Sequence, residues 1–313
     1  IVDYIKNVEE IVGTGQADTI ILDDNANVIT ANNGNDTITG SQNAVGDTIN
    51  GGGGSADHLT YLNINDNITV SLLDNATGFT NLTRGSTNDS IRNFENLTTG
   101  NGSDYIVGSD VTNVINSSNG NDTVLGGGGD DTINAGNGSD VVYGDDGNDV
   151  INAGSGNNDV QGGDGADTIT AGSGADRIIG DSALLSLITD GDYTLADYQA
   201  AYAQETVDDD VDNISGGSGA DIILGGGGDD VINGGGDSDI IDGGSGNDSI
   251  NISSGGADYV IASLGHDSIS GSSNSGTDRD VLDYSFLYDS QGTFGITFNY
   301  IDVDLNNATN TID

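Results

Sequence analysis

An aspartate returns at every ninth position through long stretches of this 313-residue chain. From Gly126 to Gly154 the sequence reads GGGGDDTINAGNGSDVVYGDDGNDVINAG. Within it Asp131, Asp140 and Asp149 each stand two residues ahead of an aliphatic side chain, Ile133, Val142 and Ile151. Carboxylates are hard oxygen donors. Repeated at a fixed interval with neither histidine nor cysteine among them, they suit a hard cation and not zinc or copper.

The element that presents them follows from the rest of the unit. A glycine-rich hexapeptide turns sharply because glycine accepts positive φ, and the three residues after it form a short strand whose middle, aliphatic side chain points inward. Two such units close one flattened coil, so equivalent turns are eighteen residues apart. Stacked coils pair as parallel strands roughly 4.8 Å apart, which brings Asp122 near Asp140 and Asp131 near Asp149. A cation midway between carboxylate oxygens at that spacing sits about 2.4 Å from each. That lies within the roughly 2.3–2.6 Å calcium range and outside the roughly 2.0–2.1 Å that magnesium requires. Turn carbonyls complete the shell.

Read along the chain, the acidic position is filled by Asp18, Asp36, Asp47, Asp57, Asp104, Asp122, Asp131, Asp140, Asp149, Asp167, Asp176, Asp212, Asp221, Asp230, Asp239, Asp248, Asp258 and Asp267. These are the expected ligands of on the order of ten to twenty calcium ions. Amides replace the acid at Asn27, Asn113 and Asn158, and Asp237 takes a glycine position; sites at those turns are expected to be weaker.

Composition agrees with a cation as partner. Fifty-one acidic residues face five basic ones, a formal charge of -46, which excludes nucleic acid and anionic membrane surfaces. Only 34% of the chain is hydrophobic and 52 residues are glycine, so a thick core is not expected. Such a composition also fits an acidic disordered segment, but a strict register does not. One core aliphatic per nine residues contributes ~2 kcal/mol on burial, short of the entropy lost in ordering nine backbones, while neighbouring carboxylates repel. The arrays are therefore expected to fold only with calcium. There is no cysteine, hence no disulfide framework, no apolar run of membrane-spanning length and no signal-peptide pattern at Ile1.

The fold class expected is all-β: parallel β-roll (β-helix or solenoid) arrays with strand-rich inserts and one short helical insert. Residues 1–12 read as the end of a preceding strand-rich insert, 13–60 as a worn array, 61–98 as a strand-rich insert with the alternation Ile68-Thr-Val70-Ser-Leu72, and 99–179 as an array of nine units. Residues 180–206 carry a helical pattern, with Thr194 and Asp197 as a capping-box-like pair and Leu195, Tyr198, Ala201 and Tyr202 at helical spacing. Residues 207–283 form a further array, and 284–313 open another strand-rich insert. The stretch from Tyr4, YIKNVEEIVGTGQADTI, resembles SIRNFENLTTGNGSDYI from Ser90, and there is no methionine. The chain is expected to be a segment of a longer protein.

Other chemistry is thinly represented. There is no HExxH, no GxSxG and no phosphate-loop lysine, Lys6 being the sole lysine. Catalysis is not expected in this segment. His58 and His266 fall at variable positions and read as surface residues; Tyr105, Tyr143 and Tyr259 read as packing along a β-surface. Asp190-Gly-Asp192-Tyr-Thr194 and Asp208-Asp-Asp210-Val-Asp212 resemble the start of an EF-hand loop without its closing glutamate, and read as solvated turns, the alternative being an extra calcium site in or beside the helical insert.

The units resemble the GGxGxDxUx nonapeptides of the RTX (repeats-in-toxin) family, a calcium-binding parallel β-helix repeat. The resemblance covers about two thirds of the chain. It implies a parallel β-roll with rows of calcium along both edges, and export from a Gram-negative-type bacterium by type I secretion, although the C-terminal export signal of such proteins is not recognisable here. The expected function is a calcium-binding structural segment of a secreted bacterial surface protein, an adhesin, surface-layer or filament component, that folds and assembles outside the cell. The alternative is the noncatalytic secretion and folding module of an exported toxin or hydrolase. Expected partners are calcium ions and copies of the same chain or other cell-surface components, with no nucleic acid and no direct membrane insertion.

Overall fold

The computed structural model describes residues 8–42, 45–62, 64–72, 78–181, 210–252, 255–261, 265–271 and 280–283. Among them the regular elements are all strands, 27 in number. The helical insert expected at 180–206 falls, but for its first two residues, outside the described residues, as does all of 284–313. The chain divides into two compact units, Ile1–Gly154 and Ser155–Asp313. Each is a parallel β-solenoid.

From Asn96 onward, successive strands of the first unit fall alternately into two sheets, so that a strand pairs with the next but one. Tyr105–Ser109 pairs with Thr123–Gly128 and that with Val141–Asp146, placing Ile106, Val124 and Val142 in one column. In the facing sheet Asn96–Thr98, Val114–Asn116 and Thr132–Asn137 stack Leu97, Ile115 and Ile133. These six aliphatics have no solvent exposure and form the thin core between the sheets. The side chains on either side of each alternate outward, which is why only the eighth position of the unit must be apolar.

The turns explain the glycines. In the unit Gly126 to Asn134, Gly127 and Gly129 have φ of 105° and 93°, so the second and fourth positions need the left-handed region. Asp145 and Asp237 occupy equivalent positions with φ of 71° and 75°, a conformation that costs a side chain of order 1 kcal/mol.

Residues 61–98 join the solenoid. Thr80–Arg84 and Thr87–Arg92 make an antiparallel hairpin that enters one sheet, with Thr87–Arg92 parallel to Thr48–Asn50 and Thr80–Arg84 antiparallel to Ile68–Ser71. In the other sheet His58–Thr60 pairs directly with Asn96–Thr98. This part of the unit has the bulkiest core, including Tyr61, Ile68, Leu82, Ile91, Phe94 and Leu97.

The second unit repeats the arrangement. Arg177–Asp181, Ile222–Gly227, Ile240–Ser245 and Tyr259–Ile261 stack in one sheet, and Thr168–Ser173, Asn213–Ser218, Val231–Gly236 and Ser249–Ile252 in the other. Ile169 aligns with Ile214 and Ile178 with Ile223, so the register resumes across the insert without slipping.

Candidate metal centres

The sixth residue of each unit ends the turn and enters the strand, which fixes its side chain between coils. All eighteen aspartates singled out by the repeat lie in rows along the solenoid edges, and each is linked to its neighbour in the same way. The backbone N–H of one donates to Oδ1 of the next. In the first unit the links are 2.7 Å from Asp18 to Asp36 and from Asp36 to Asp57, 2.7 Å from Asp104 to Asp122, and 2.8 Å from Asp122 to Asp140 and from Asp131 to Asp149. In the second they run from Asp167 to Asp212, Asp230, Asp248 and Asp267, and from Asp176 to Asp221, Asp239 and Asp258, at 2.7 to 3.1 Å. Asp47 accepts from Asn27 N–H at 2.9 Å. All but Asp18 and Asp267 are buried.

The sequence suggested an ion held between two carboxylates. The structure shows that one oxygen of each linked carboxylate already serves the backbone of the preceding coil, which leaves Oδ2 for an ion. Oδ2 of Asp36, Asp57, Asp131, Asp221, Asp230, Asp239 and Asp248 is buried and has no hydrogen-bond partner. A buried carboxylate oxygen without a partner is costly unless a cation or proton meets it.

The charge state reflects that cost. Burial raises Asp131, Asp221 and Asp248 to about 7 and Asp230 to about 8. The backbone hydrogen bond offsets part of the rise, and neighbouring carboxylates, such as Asp149 beside Asp131 and Asp212 beside Asp230, add to it. Asp57, Asp149 and Asp239 are raised to about 6, again chiefly by burial. Desolvation and like charge both destabilise the ionised row, and a divalent cation relieves both at once.

The remaining oxygens come from the turns. A methyl group placed on Gly126 would lie 2.5 Å from the carbonyl oxygen of Gly144 and 2.6 Å from Oδ2 of Asp131. Two acceptors thus converge on one gap, kept open because the first residue of the unit has no side chain. The same pairing recurs at Gly216 with Gly234 and Asp221, and at Gly225 with Gly243 and Asp230. Among the described residues no three acidic or histidine side chains converge on one point, so an ion in these gaps draws much of its shell from carbonyls, as calcium accepts.

The two edges of the first unit differ. Beside Asp131 and Asp149 the first position is Gly126 and Gly144, whereas beside Asp104, Asp122 and Asp140 it is Thr99, Ser117 and Ala135. There Thr99 Oγ1 donates to the carbonyl of Ser117 at 3.2 Å and Ser117 Oγ to that of Ala135 at 3.0 Å. A hydroxyl therefore partly meets the need that a cation would meet on the glycine edge.

Three further acids belong to the rows and were not among the expected ligands. Asp89 Oδ1 accepts from Asp47 N–H at 2.8 Å, Glu95 Oε2 from Asp57 N–H at 2.7 Å, and Asp280 Oδ1 from Asp258 N–H at 3.2 Å. Each stands two residues before an aliphatic, Ile91, Leu97 and Leu282, the same signature as the repeat. His58 is half-buried against Thr98, 2.8 Å from its hydroxyl, and burial lowers its pKa; His266 is exposed. Of the two EF-hand-like stretches, 190–194 and 208–209 lie outside the described residues, and Asp212 belongs to a row.

Residues 10–44, 98–133, 116–151, 125–160, 152–182, 208–250 and 252–281 match the RTX calcium-binding nonapeptide repeat. No curated protein matches the chain. With more than half of its residues matched, and with the turn and strand geometry of each unit repeated coil after coil, the chain belongs to the RTX calcium-binding nonapeptide repeat family.

Proposed function

We propose that this chain is a structural segment of a secreted bacterial surface protein, an adhesin, surface-layer or filament component, which folds on meeting calcium outside the cell and then assembles. Its calcium ligands are the eighteen aspartates of the repeat except Asp47, whose Oδ2 accepts from Ser41 Oγ, with turn carbonyls completing each shell. The observation that carries this reading is the row of buried carboxylate oxygens with no donor facing them. The linked carboxylates are also tied through Oδ1 to the backbone of the preceding coil, which favours a load-bearing role over a catalytic one.

External calcium is far higher than cytosolic calcium, so one chemical switch keeps the chain extended for export and folds it afterwards. Each bound calcium also offsets two of the negative charges that otherwise keep copies apart.

The test is assembly itself. In millimolar calcium the purified chain is expected to form particles or filaments visible by electron microscopy. A chelator should dissolve them, and raised sodium chloride at constant calcium should not. Absence of assembly in calcium, or dissolution by salt alone, would contradict the surface-assembly reading.

A further inference from the structure

The row through Asn27, Asp47 and Asp89 departs from the others at one point. Asp89 has no solvent exposure and Arg84, at the end of the hairpin strand Thr80–Arg84, has 3%. Arg84 Nε lies 3.1 Å from Asp89 Oδ2, and the Tyr61 hydroxyl donates to that same oxygen. Arg84 Nη2 donates to Ser41 Oγ at 3.2 Å, and Ser41 Oγ donates to Asp47 Oδ2 at 3.0 Å. The guanidinium carbon is 5.5 Å from the centre of the Tyr61 ring. At this place, then, Oδ2 of two successive row carboxylates is supplied with donors by the chain, directly or through one hydroxyl.

We propose that Arg84 is a built-in cation standing where calcium stands elsewhere in the rows, so that the coils around Asp47 and Asp89 hold together without metal. The inference rests on the calcium reading of the other rows. Three observations support it. The chain has only five basic residues, and this one is buried on the row. The hairpin that carries it is the one place where antiparallel strands enter the solenoid, among the described residues. The surrounding core is also the richest in large apolar side chains, so these coils depend least on ions for stability.

The chemistry is self-consistent. A planar guanidinium presents several N–H donors in a fixed fork, so it can pair with Asp89 directly and serve Asp47 through the Ser41 hydroxyl, where a compact metal ion would otherwise stand. Unlike calcium it cannot be removed by a chelator.

The full chain should be studied by hydrogen exchange in chelator and in calcium. In chelator, amides of Thr48–Asn50 and Thr87–Arg92 are expected to stay protected while those of Thr123–Gly128 and Thr132–Asn137 exchange freely. Arg84→Gln should speed exchange of the first set in chelator by more than about 100-fold, the effect of breaking a buried ion pair. The double variant Arg84→Gln with Asp89→Asn, which removes the orphaned charge together with its partner, should recover most of the protection, even where Arg84→Gln alone fails to fold. Equal dependence of both sets on calcium in the native chain, or no recovery in the double variant, would overturn the assignment of Arg84. Failure of the second set to gain protection in calcium would instead overturn the calcium reading of the arrays.

Discussion

The backbone N–H of Asn113 donates to Oδ1 of Asp131, 2.7 Å away and one coil further on, while Oδ2 of Asp131 lies buried beside the carbonyl oxygen of Gly144. One carboxylate thus does two jobs with two oxygens. Oδ1 latches coil to coil, and Oδ2 faces an oxygen gap that suits a cation or a proton.

The two jobs separate by substitution. Asp131→Asn keeps an acceptor for the Asn113 N–H, now at 2.7 Å, but loses the charge. It should weaken calcium binding with little loss of metal-free stability. Asp131→Ala removes both, leaves the Asn113 amide without an acceptor, and should cost a further ~1–3 kcal/mol in the calcium-loaded form. Calcium titration followed by thermal unfolding distinguishes them; equal effects from the two variants would mean the latch is not formed.

Glycine at the first position of the unit should be required on one edge and dispensable on the other. Gly126→Ala puts a methyl group 2.5 Å from the carbonyl oxygen of Gly144 and 2.6 Å from Oδ2 of Asp131. It should cost ~1–3 kcal/mol by overpacking and lower calcium affinity at that turn. Ser117→Gly on the other edge removes a hydroxyl that donates to the carbonyl of Ala135 and should leave that turn more dependent on calcium. Isothermal titration checks both; the same response from both edges would show that their difference in sequence has no effect on ions.

Acid should partly replace calcium. Asp131, Asp221 and Asp248 at about 7 and Asp230 at about 8 lie above the unfolded value of 3.8, so between those values the folded chain binds more protons than the unfolded one. Metal-free stability from these groups is therefore full below the unfolded value and is lost as pH rises through their folded values of about 7 to about 8. Far-UV circular dichroism of metal-stripped protein should show β-structure growing from about pH 8 to about pH 5. In the same range the calcium concentration needed to occupy the sites of the folded chain should increase as pH falls, because protons compete for Oδ2. A metal-free β-signal that grows with pH would reverse the sign and contradict the burial of the rows.

The amide at Asn158 should mark a weak turn in the second unit. Its N–H donates to Asp176 Oδ1 at 2.7 Å, so the latch persists, and its Nδ2 lies 3.4 Å from the carbonyl of Ala171. At limiting calcium, Asp159–Asp164 should exchange ahead of Ile222–Gly227, and Asn158→Asp should slow it. No change on substitution would mean that ligand charge at the sixth position does not set affinity.

Much of this was legible because each unit assigns one residue to each physical task. The aliphatic eighth position, seen in Val124, Ile133 and Val142, gives the strand and its buried face, and the fixed interval gives the parallel stacking. The division of labour between Oδ1 and Oδ2 was not legible, since a sequence shows the carboxylate but not which oxygen the neighbouring backbone claims. Asp89 and Glu95 were missed because their row partners, Asp47 and Asp57, lie 42 and 38 residues away, across a hairpin that breaks the interval. Arg84 could be placed only once that hairpin had a position in the sheet.

The most direct test of the account is the far-UV circular dichroism of the metal-free chain at neutral pH as calcium is added. The account predicts a spectrum with little β-signal in chelator outside the coils around Arg84, a cooperative rise to a β-rich spectrum at millimolar calcium, and a far weaker response to magnesium at the same concentration. A chain that keeps its full β-signal in chelator, or folds equally well with magnesium, would contradict it.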